Sequence, residues 1–114
     1  MTIREQISQI LATINTNFKT METHECSELA LVLSSLLSTV IEKEAEAEGK
    51  CNMYKIEIME TNEGITDAKA TTLMKASTDW IEWQKLKALR VGVQEVIRSL
   101  KNRVKLKLEE QQTI

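Results

Sequence analysis

The residues of this chain that could bind a metal ion are one histidine and two cysteines. His24 stands two residues before Cys26, and Cys51 is the second cysteine. Zinc accepts imidazole and thiolate ligands, so these three side chains would form a three-ligand site if they converged in space. No second pair of ligands stands at metal-binding spacing, and Cys51 fits a core position of a helix. We therefore expect both cysteines to pack as small apolar groups, and we expect no cofactor.

Other catalytic signatures are also missing from the sequence. It contains no glycine-rich phosphate loop, no nucleophile elbow and no His/Glu metalloprotease helix. His24-Glu25 lacks the cysteine pair that a zinc deaminase needs. The sequence therefore predicts a protein that is not an enzyme.

A strongly basic segment is the second feature that could do chemistry. Between Lys85 and Lys107 the chain carries eight cations and a single acid, Glu95, although its formal net charge is -2. Such a segment favours a polyanion, an acidic protein surface or a second copy of the chain as partner. On a helical wheel five cations share one side of the helix: Lys87, Arg90, Arg98, Lys101 and Lys105. The other three, Lys85, Arg103 and Lys107, lie beside an apolar seam.

These cations have two interpretations. Lys and Arg neutralise phosphates and release counterions, which predicts contact with nucleic acid. A solvated helix face whose cations pair with glutamates of a neighbouring helix or subunit is the alternative.

Two tryptophans precede the basic segment. Trp80 and Trp83 are three residues apart, so they are neighbours on one helix face. Aromatic rings can stack on bases, but such a pair more often anchors a core or an interface. We expect packing or interface roles for five residues of this region: Trp80, Trp83, Leu86, Val93 and Leu100.

The composition predicts long helices. The 114 residues include no proline and three glycines, and Leu, Ile, Ala, Glu and Lys are abundant. Chains of this length usually form a single domain, so we expect one domain over residues 1–114. Long helices expose much side-chain area, so we expect the chain to complete its core as a homo-oligomer.

Hydrophobic periodicity divides the chain into three helices. We predict a short amphipathic helix over residues 3–16, a long helix over 25–60 and a long basic helix over 66–110. Between the long helices Gly64 supplies a positive φ, and Thr66 caps the helix that follows. The fold class predicted is all-α: a short N-terminal helix plus a long antiparallel helical hairpin, coiled-coil-like and oligomeric.

The apolar rows of the long helices follow seven-residue repeats. In the second helix one row holds Leu33, Val40, Ala47 and Tyr54, and the other holds Leu37, Cys51 and Ile58, with Glu44 as an interruption. In the last helix the seam consists of Leu86, Leu89, Val93, Val96, Leu100 and Val104. We expect these rows to face each other.

The order of features resembles a known family. A helix that mixes glutamate and lysine (residues 42–55) leads through a polar turn to Thr66-Asp67-Ala68-Lys69-Ala70. A Trp-x-x-Trp-x-x-Leu-Lys stretch follows over residues 80–87, and then Val96-Ile97-Arg98-Ser99-Leu100-Lys101-Asn102-Arg103. This pattern, over about residues 36–108, resembles the phage recombination mediators of the UvsY-like family.

The resemblance implies a function. Such proteins form ring-like homo-oligomers, bind single-stranded DNA and help to load a recombinase onto DNA coated with single-strand-binding protein. The positions that match the family's basic positions are Lys50, Lys55, Lys85, Lys87, Arg90, Arg98, Lys101 and Arg103. Here the middle helix is rich in glutamate, which repels phosphate, so the C-terminal helix is the better candidate for DNA contact.

Two hypotheses of function follow. The first is a non-enzymatic phage accessory protein that binds single-stranded DNA through Lys87, Arg90, Arg98, Lys101, Arg103 and Lys105. Its partners would be DNA, further copies of itself, and a recombinase or single-strand-binding protein. The alternative is a helical scaffold or adaptor that acts by protein–protein interaction without nucleic acid.

The expected location is the cytoplasm, that of the host cell if the protein is phage-encoded. The N-terminal apolar residues are interrupted by Glu5, Gln6, Ser8 and Gln9, which does not fit a signal peptide. The run Leu29–Ile41 contains four hydroxyl residues and is too short to span a bilayer. We therefore expect no membrane contact.

Overall fold

The computed structural model describes residues 1–112, and this part of the chain is helical without any strand. The prediction of an all-α protein with long helices that pack against each other is thereby confirmed, whereas oligomerisation stays a prediction. The elements are α1 (Ile3–Asn17), a 3₁₀ turn (Phe18–Thr20), α2 (Thr23–Thr61), α3 (Asp67–Lys75) and α4 (Thr78–Gln112).

Short polar side chains define two of the helix starts. The Thr2 hydroxyl accepts a hydrogen bond from the Glu5 amide at 3.2 Å and caps α1. The Thr66 hydroxyl accepts from the Lys69 amide at 3.2 Å and caps α3. Gly64 has a φ of 82°, a conformation that glycine adopts without strain. The predicted turn between the long helices, with its cap at Thr66, is therefore confirmed.

The predicted single helix over 66–110 is wrong, because the structure divides it into α3 and α4. Ser77 lies at the break. Its hydroxyl donates to the Met74 carbonyl at 2.6 Å and accepts from the Trp80 amide at 3.2 Å. One side chain thus satisfies a carbonyl at the end of α3 and an amide at the start of α4. The local signal was Ser77 followed by an acid, Asp79, in the first turn of α4.

The chain forms two compact units, and α2 and α4 contribute to both. The first unit consists of residues 1–39 together with the chain from Arg90 onward, and the second is Val40–Leu89. Buried apolar residues of the first unit come from α1, α2, α4 and the connection between α1 and α2, and they include Ile7, Met21, Cys26, Leu33, Val93 and Leu100. In the second unit Cys51, Ile58, Ala70 and Met74 form the core cluster.

The apolar rows of the long helices supply half of the buried apolar positions in residues 1–112. Leu33, Val40, Ala47, Cys51 and Ile58 of α2 are buried as predicted. Tyr54, which the heptad placed in one row with Leu33, Val40 and Ala47, is exposed instead. In α4 the structure adds Ile97, which the sequence analysis missed, while Leu89, Val96 and Val104 are half-buried.

Among the described residues α2 is the helix that is long and apolar enough to cross a membrane. By length and composition one window of α2 reaches a mean hydropathy of 1.2, and 22% of that window is buried. A single such helix is weak evidence of a span, because the core helix of a soluble protein passes the same test.

Replacement of the buried seam residues tests the packing of α4. Val93 and Leu100 are fully buried, so Val93→Asp or Leu100→Asp places a charge in the apolar interior. We expect each change to lower the free energy of unfolding by at least about 3 kcal/mol, as measured by urea denaturation. Leu106→Asp, at a position that is 59% exposed, is the control. Equal losses in all three variants would contradict this packing.

Candidate nucleic-acid interface

A row of three exposed cations lies on α4 within the first unit. Arg98, Lys101 and Lys105 are all exposed. They are spaced by three and four residues, which places them on one side of the helix over about 10 Å of its length. We call these three residues the basic row. Lys87, on the part of α4 that belongs to the second unit, is exposed as well.

The cations of the basic row have no acidic partner in the part of the chain that the structure describes. Within residues 1–112, neither Lys87 nor any member of the basic row takes part in an ion pair or a side-chain hydrogen bond. In contrast, the Lys55 ammonium is 2.9 Å from the Asp67 carboxylate. The basic row is therefore available to an external anion, whereas the charge of Lys55 is offset within the second unit.

Arg90 occupies a different position from the one expected for it. On the helical wheel Arg90 lies with Lys87 and the basic row, but it is half-buried, and its guanidinium donates to the Gln94 side-chain oxygen at 3.3 Å. Arg90 lies four residues after Leu86 and three before Val93, both of which are buried. This spacing places Arg90 at the edge of the apolar seam, because residues three and four apart share a helix face.

Arg103 is also engaged within the chain. Its guanidinium donates to the Lys19 carbonyl at 2.8 Å and to the Met21 carbonyl at 3.3 Å. It also lies over the Phe18 ring, 5.1 Å from the ring centroid, which is within cation–π range. The Lys107 ammonium donates to the same Met21 carbonyl at 2.8 Å. We call Arg103 and Lys107 the carbonyl clamp.

The carbonyl clamp has a structural cause. The chain leaves α1 through the 3₁₀ turn and enters α2 at Thr23, so carbonyls in the connection have no helical partner. Two cations of α4 supply the missing donors, and a hydrogen bond from a charged donor is stronger than a neutral one. The clamp thus fixes the connection, and its charges are directed inward to the protein. Sequence reasoning detected only that these two cations lie beside the seam.

The predicted packing residues lie at buried or half-buried positions. Leu86, Val93 and Leu100 are buried. Trp80 and Trp83 are half-buried and pack against the core cluster of the second unit, together with Ile65. Their rings are therefore already in contact with apolar side chains. The stacking of bases on them would compete with this packing.

The three residues considered for metal binding do not form a metal site in the described chain. Residues 1–112 contain no group of three or more His, Cys, Asp or Glu side chains arranged to hold a metal ion. Cys26 and Cys51 are buried thiols, while His24 is exposed. Burial, followed by the charges of Asp79 and Glu48, raises the pKa of the Cys51 thiol above its ordinary value of 9.0. Both cysteines thus pack as small apolar groups.

A groove adjoins the basic row. Its volume is about 300 Å³, and α2 and α4 line it with Cys26, Ser27, Ala30, Leu31, Ser34, Lys101 and Val104. Most of this lining is apolar or small, and Lys101 provides its cationic residue. The basic row and the groove therefore share one residue and lie side by side in the first unit.

Comparison of the chain with protein-family models, with curated proteins and with solved structures finds no match. Support for a function therefore comes from the geometry of the basic row, the carbonyl clamp and the groove.

Removal of the Arg103 side chain tests the clamp. Arg103→Ala deletes the hydrogen bonds to Lys19 and Met21 and the contact with Phe18. We expect the free energy of unfolding to fall by about 2 kcal/mol, the scale for hydrogen bonds from a charged donor, as measured by urea denaturation. Arg98→Ala, at an exposed position, should change it by less than about 0.5 kcal/mol. Equal effects would show that the clamp contributes nothing.

The raised pKa of Cys51 predicts a dependence of stability on pH. As the pH rises past 9.0, the unfolded chain releases the Cys51 proton while the folded chain retains it, so the free energy of unfolding falls. Cys51→Ala lacks this contribution. We therefore expect the stability difference between wild type and Cys51→Ala to shift against wild type from pH 8 to pH 10 in urea denaturation. A difference that is constant with pH would contradict the raised pKa.

Proposed function

We propose that this protein is a non-enzymatic phage accessory protein that binds single-stranded DNA as a homo-oligomer and assists the loading of a recombinase. Arg98, Lys101 and Lys105 of the first unit make the principal phosphate contacts. The protein acts in the cytoplasm of the host cell. Arg90 and Arg103 contribute less to DNA contact than the sequence alone suggested, because both are engaged within the chain.

The observation that carries this proposal is the exposure of the basic row without an acidic partner in residues 1–112. If these cations served only to pair with glutamates of the same chain, they would have such partners. Cations that line one side of a helix can follow a phosphate backbone, and each neutralised phosphate releases counterions. The many glutamates of α2 leave α4 as the helix suited to an anionic partner.

The part in recombination rests on the resemblance of residues 36–108 to the UvsY-like mediators. The resemblance implies DNA binding and self-association together. It also implies a recombinase or a single-strand-binding protein as a further partner. Reconstitution with a purified recombinase and a single-strand-binding protein tests this part of the function.

A scaffold or adaptor without nucleic acid is the second candidate. It is favoured by apolar side chains that α2 leaves in solvent, above all Leu31, which is 76% exposed, and Met53, which is 65% exposed. Contiguous patches of exposed apolar side chains are typical of surfaces that bind other proteins. DNA binding by the purified protein distinguishes the two candidates.

Charge reversal of the basic row tests the proposed DNA contact. We expect Arg98→Glu, Lys101→Glu and Lys105→Glu in combination to abolish binding of a labelled single-stranded oligonucleotide, as measured by fluorescence anisotropy across a salt series. Binding by the wild-type protein should weaken steeply with salt. Replacement of the same three residues by Gln should reduce the slope of log K against log salt by about 2, because each lost contact removes about 0.7.

A variant of equal charge change is the control. Lys43, Lys69 and Lys75 are exposed cations outside α4, and their combined replacement by Glu alters the net charge by the same amount. This control should keep most of the DNA affinity. If both triple variants lose affinity equally, binding depends on net charge and not on the basic row. If wild type does not bind at low salt, the scaffold function replaces the DNA-binding one.

A further inference from the structure

Leu31 is the most exposed of the large apolar side chains on α2, at 76%. It forms part of the wall of the groove described above, together with Ser27 and Ser34. The groove and the side chain that projects beside it therefore belong to one surface. A surface of this kind contains both a projection and a concavity.

One of the two serines that line the groove, Ser34, has its hydroxyl donor satisfied within α2, as does Ser38 one turn further along. The Ser34 hydroxyl donates to the Ala30 carbonyl at 2.7 Å, and the Ser38 hydroxyl donates to the Ser34 carbonyl at 3.4 Å. Serine hydroxyls that bond to the carbonyl four residues earlier in a helix have already satisfied their donor. Water can leave such a surface at lower cost than it can leave serines without a partner.

The same stretch carries no charge. From Leu29 to Ile41 there is no Asp, Glu, Lys or Arg, whereas residues 42–60 contain many. Within this stretch two copies bring no like charges together. In contrast, the many charges in the second half of α2 would repel those of a second copy. At the rim, Lys101 can place its aliphatic part against an incoming apolar side chain and keep its ammonium in water.

We propose that the groove is a self-association site in which Leu31 of a second copy inserts beside Leu31 of the first. Leu31 has Ser27 four residues before it and Ser34 three residues after it, so small residues flank the projection on both sides. In a two-fold arrangement each leucine projects between the serines of the other copy, and the same patch serves both partners. The groove of about 300 Å³ has room for a leucine, since a cavity of roughly 150 Å³ accommodates benzene.

This inference rests on the homo-oligomer of the proposed function and names the face that forms it. A membrane surface is the other occupant that the apolar character of α2 suggests. A concave groove with a projection of matching size is suited to a protein partner of the same shape, whereas a bilayer contacts the convex apolar side of a helix. The second copy is therefore the occupant that the geometry favours.

Sedimentation equilibrium of the purified chain without DNA tests this interface. Leu31→Gln keeps the length of the side chain and adds a polar amide. Because a two-fold interface contains Leu31 twice, we expect self-association to weaken by on the order of 100-fold, from the transfer free energy of two leucines. Met53→Gln is the matched control, since Met53 is also strongly exposed but lies outside the groove. It should associate like wild type.

A cross-linking experiment gives independent information about proximity. In Leu31→Cys the new thiols of two copies should lie close together, so a short bis-maleimide should join them into a covalent dimer. Met53→Cys should yield little dimer under the same conditions. The native Cys26 and Cys51 are buried, so wild type should yield little as well. Equal dimer yields from the two variants would overturn the proposal.

Three further results would overturn it. They are a wild-type chain that stays monomeric, a Leu31→Gln chain that associates like wild type, and a loss of self-association in Met53→Gln equal to that in Leu31→Gln. Binding of wild type to phosphatidylcholine–phosphatidylserine vesicles that Leu31→Gln loses, without self-association, would assign the surface to lipid. Because these experiments contain no DNA, loss of DNA binding in the basic-row variants leaves their result unaffected.

Discussion

Burial of the apolar rows on α2 and α4 is the interaction on which the rest of the structure depends. Leu33 on α2 and Val93 and Leu100 on α4 are fully buried. Each buried aliphatic side chain of this size contributes roughly 1.5–3 kcal/mol. These rows orient both helices, and the orientation determines which cations of α4 face the protein and which face water.

That orientation divides the basic segment into groups with different roles. Arg103 and Lys107 lie where α4 meets the connection between α1 and α2, and they donate to carbonyls that no helix satisfies. Arg98, Lys101 and Lys105 lie on an exposed side, where a charge retains its hydration and can exchange it for an external anion. Lysine and arginine therefore stabilise the fold on the side of α4 that faces the connection between α1 and α2. On the exposed side of α4 they are available for binding.

The proposed functions use adjacent parts of the first unit. The basic row is suited to a polyanion because its charges are unsatisfied within the described chain. The groove beside it is suited to a second copy because most of its lining is apolar or small and the exposed Leu31 side chain projects beside it. An assembly built through the groove would bring basic rows of separate copies into one oligomer, and separate cation clusters on one strand of DNA strengthen binding through effective concentration.

Much of the fold followed from local patterns. Periodicity predicted the long helices, and the heptad rows identified most of the buried α2 residues, because a helix places residues three and four apart on one face whatever its surroundings. Gly64 and Thr66 predicted the turn and cap for equally local reasons. The break at Ser77 was missed because a serine within a helical pattern forms a cap only when its hydroxyl bonds to nearby backbone groups.

The site was less predictable than the fold. The sequence by itself determined the all-α class, the concentration of cations in α4 and the lack of charge between Leu29 and Ile41. Only the tertiary structure decided that Arg90 is half-buried, that Arg103 donates to carbonyls of the connection between α1 and α2, that Tyr54 is exposed, and that Leu31 stands beside a groove. Helix content depends on interactions within a few residues, whereas burial of a given side chain depends on which distant helix packs against it.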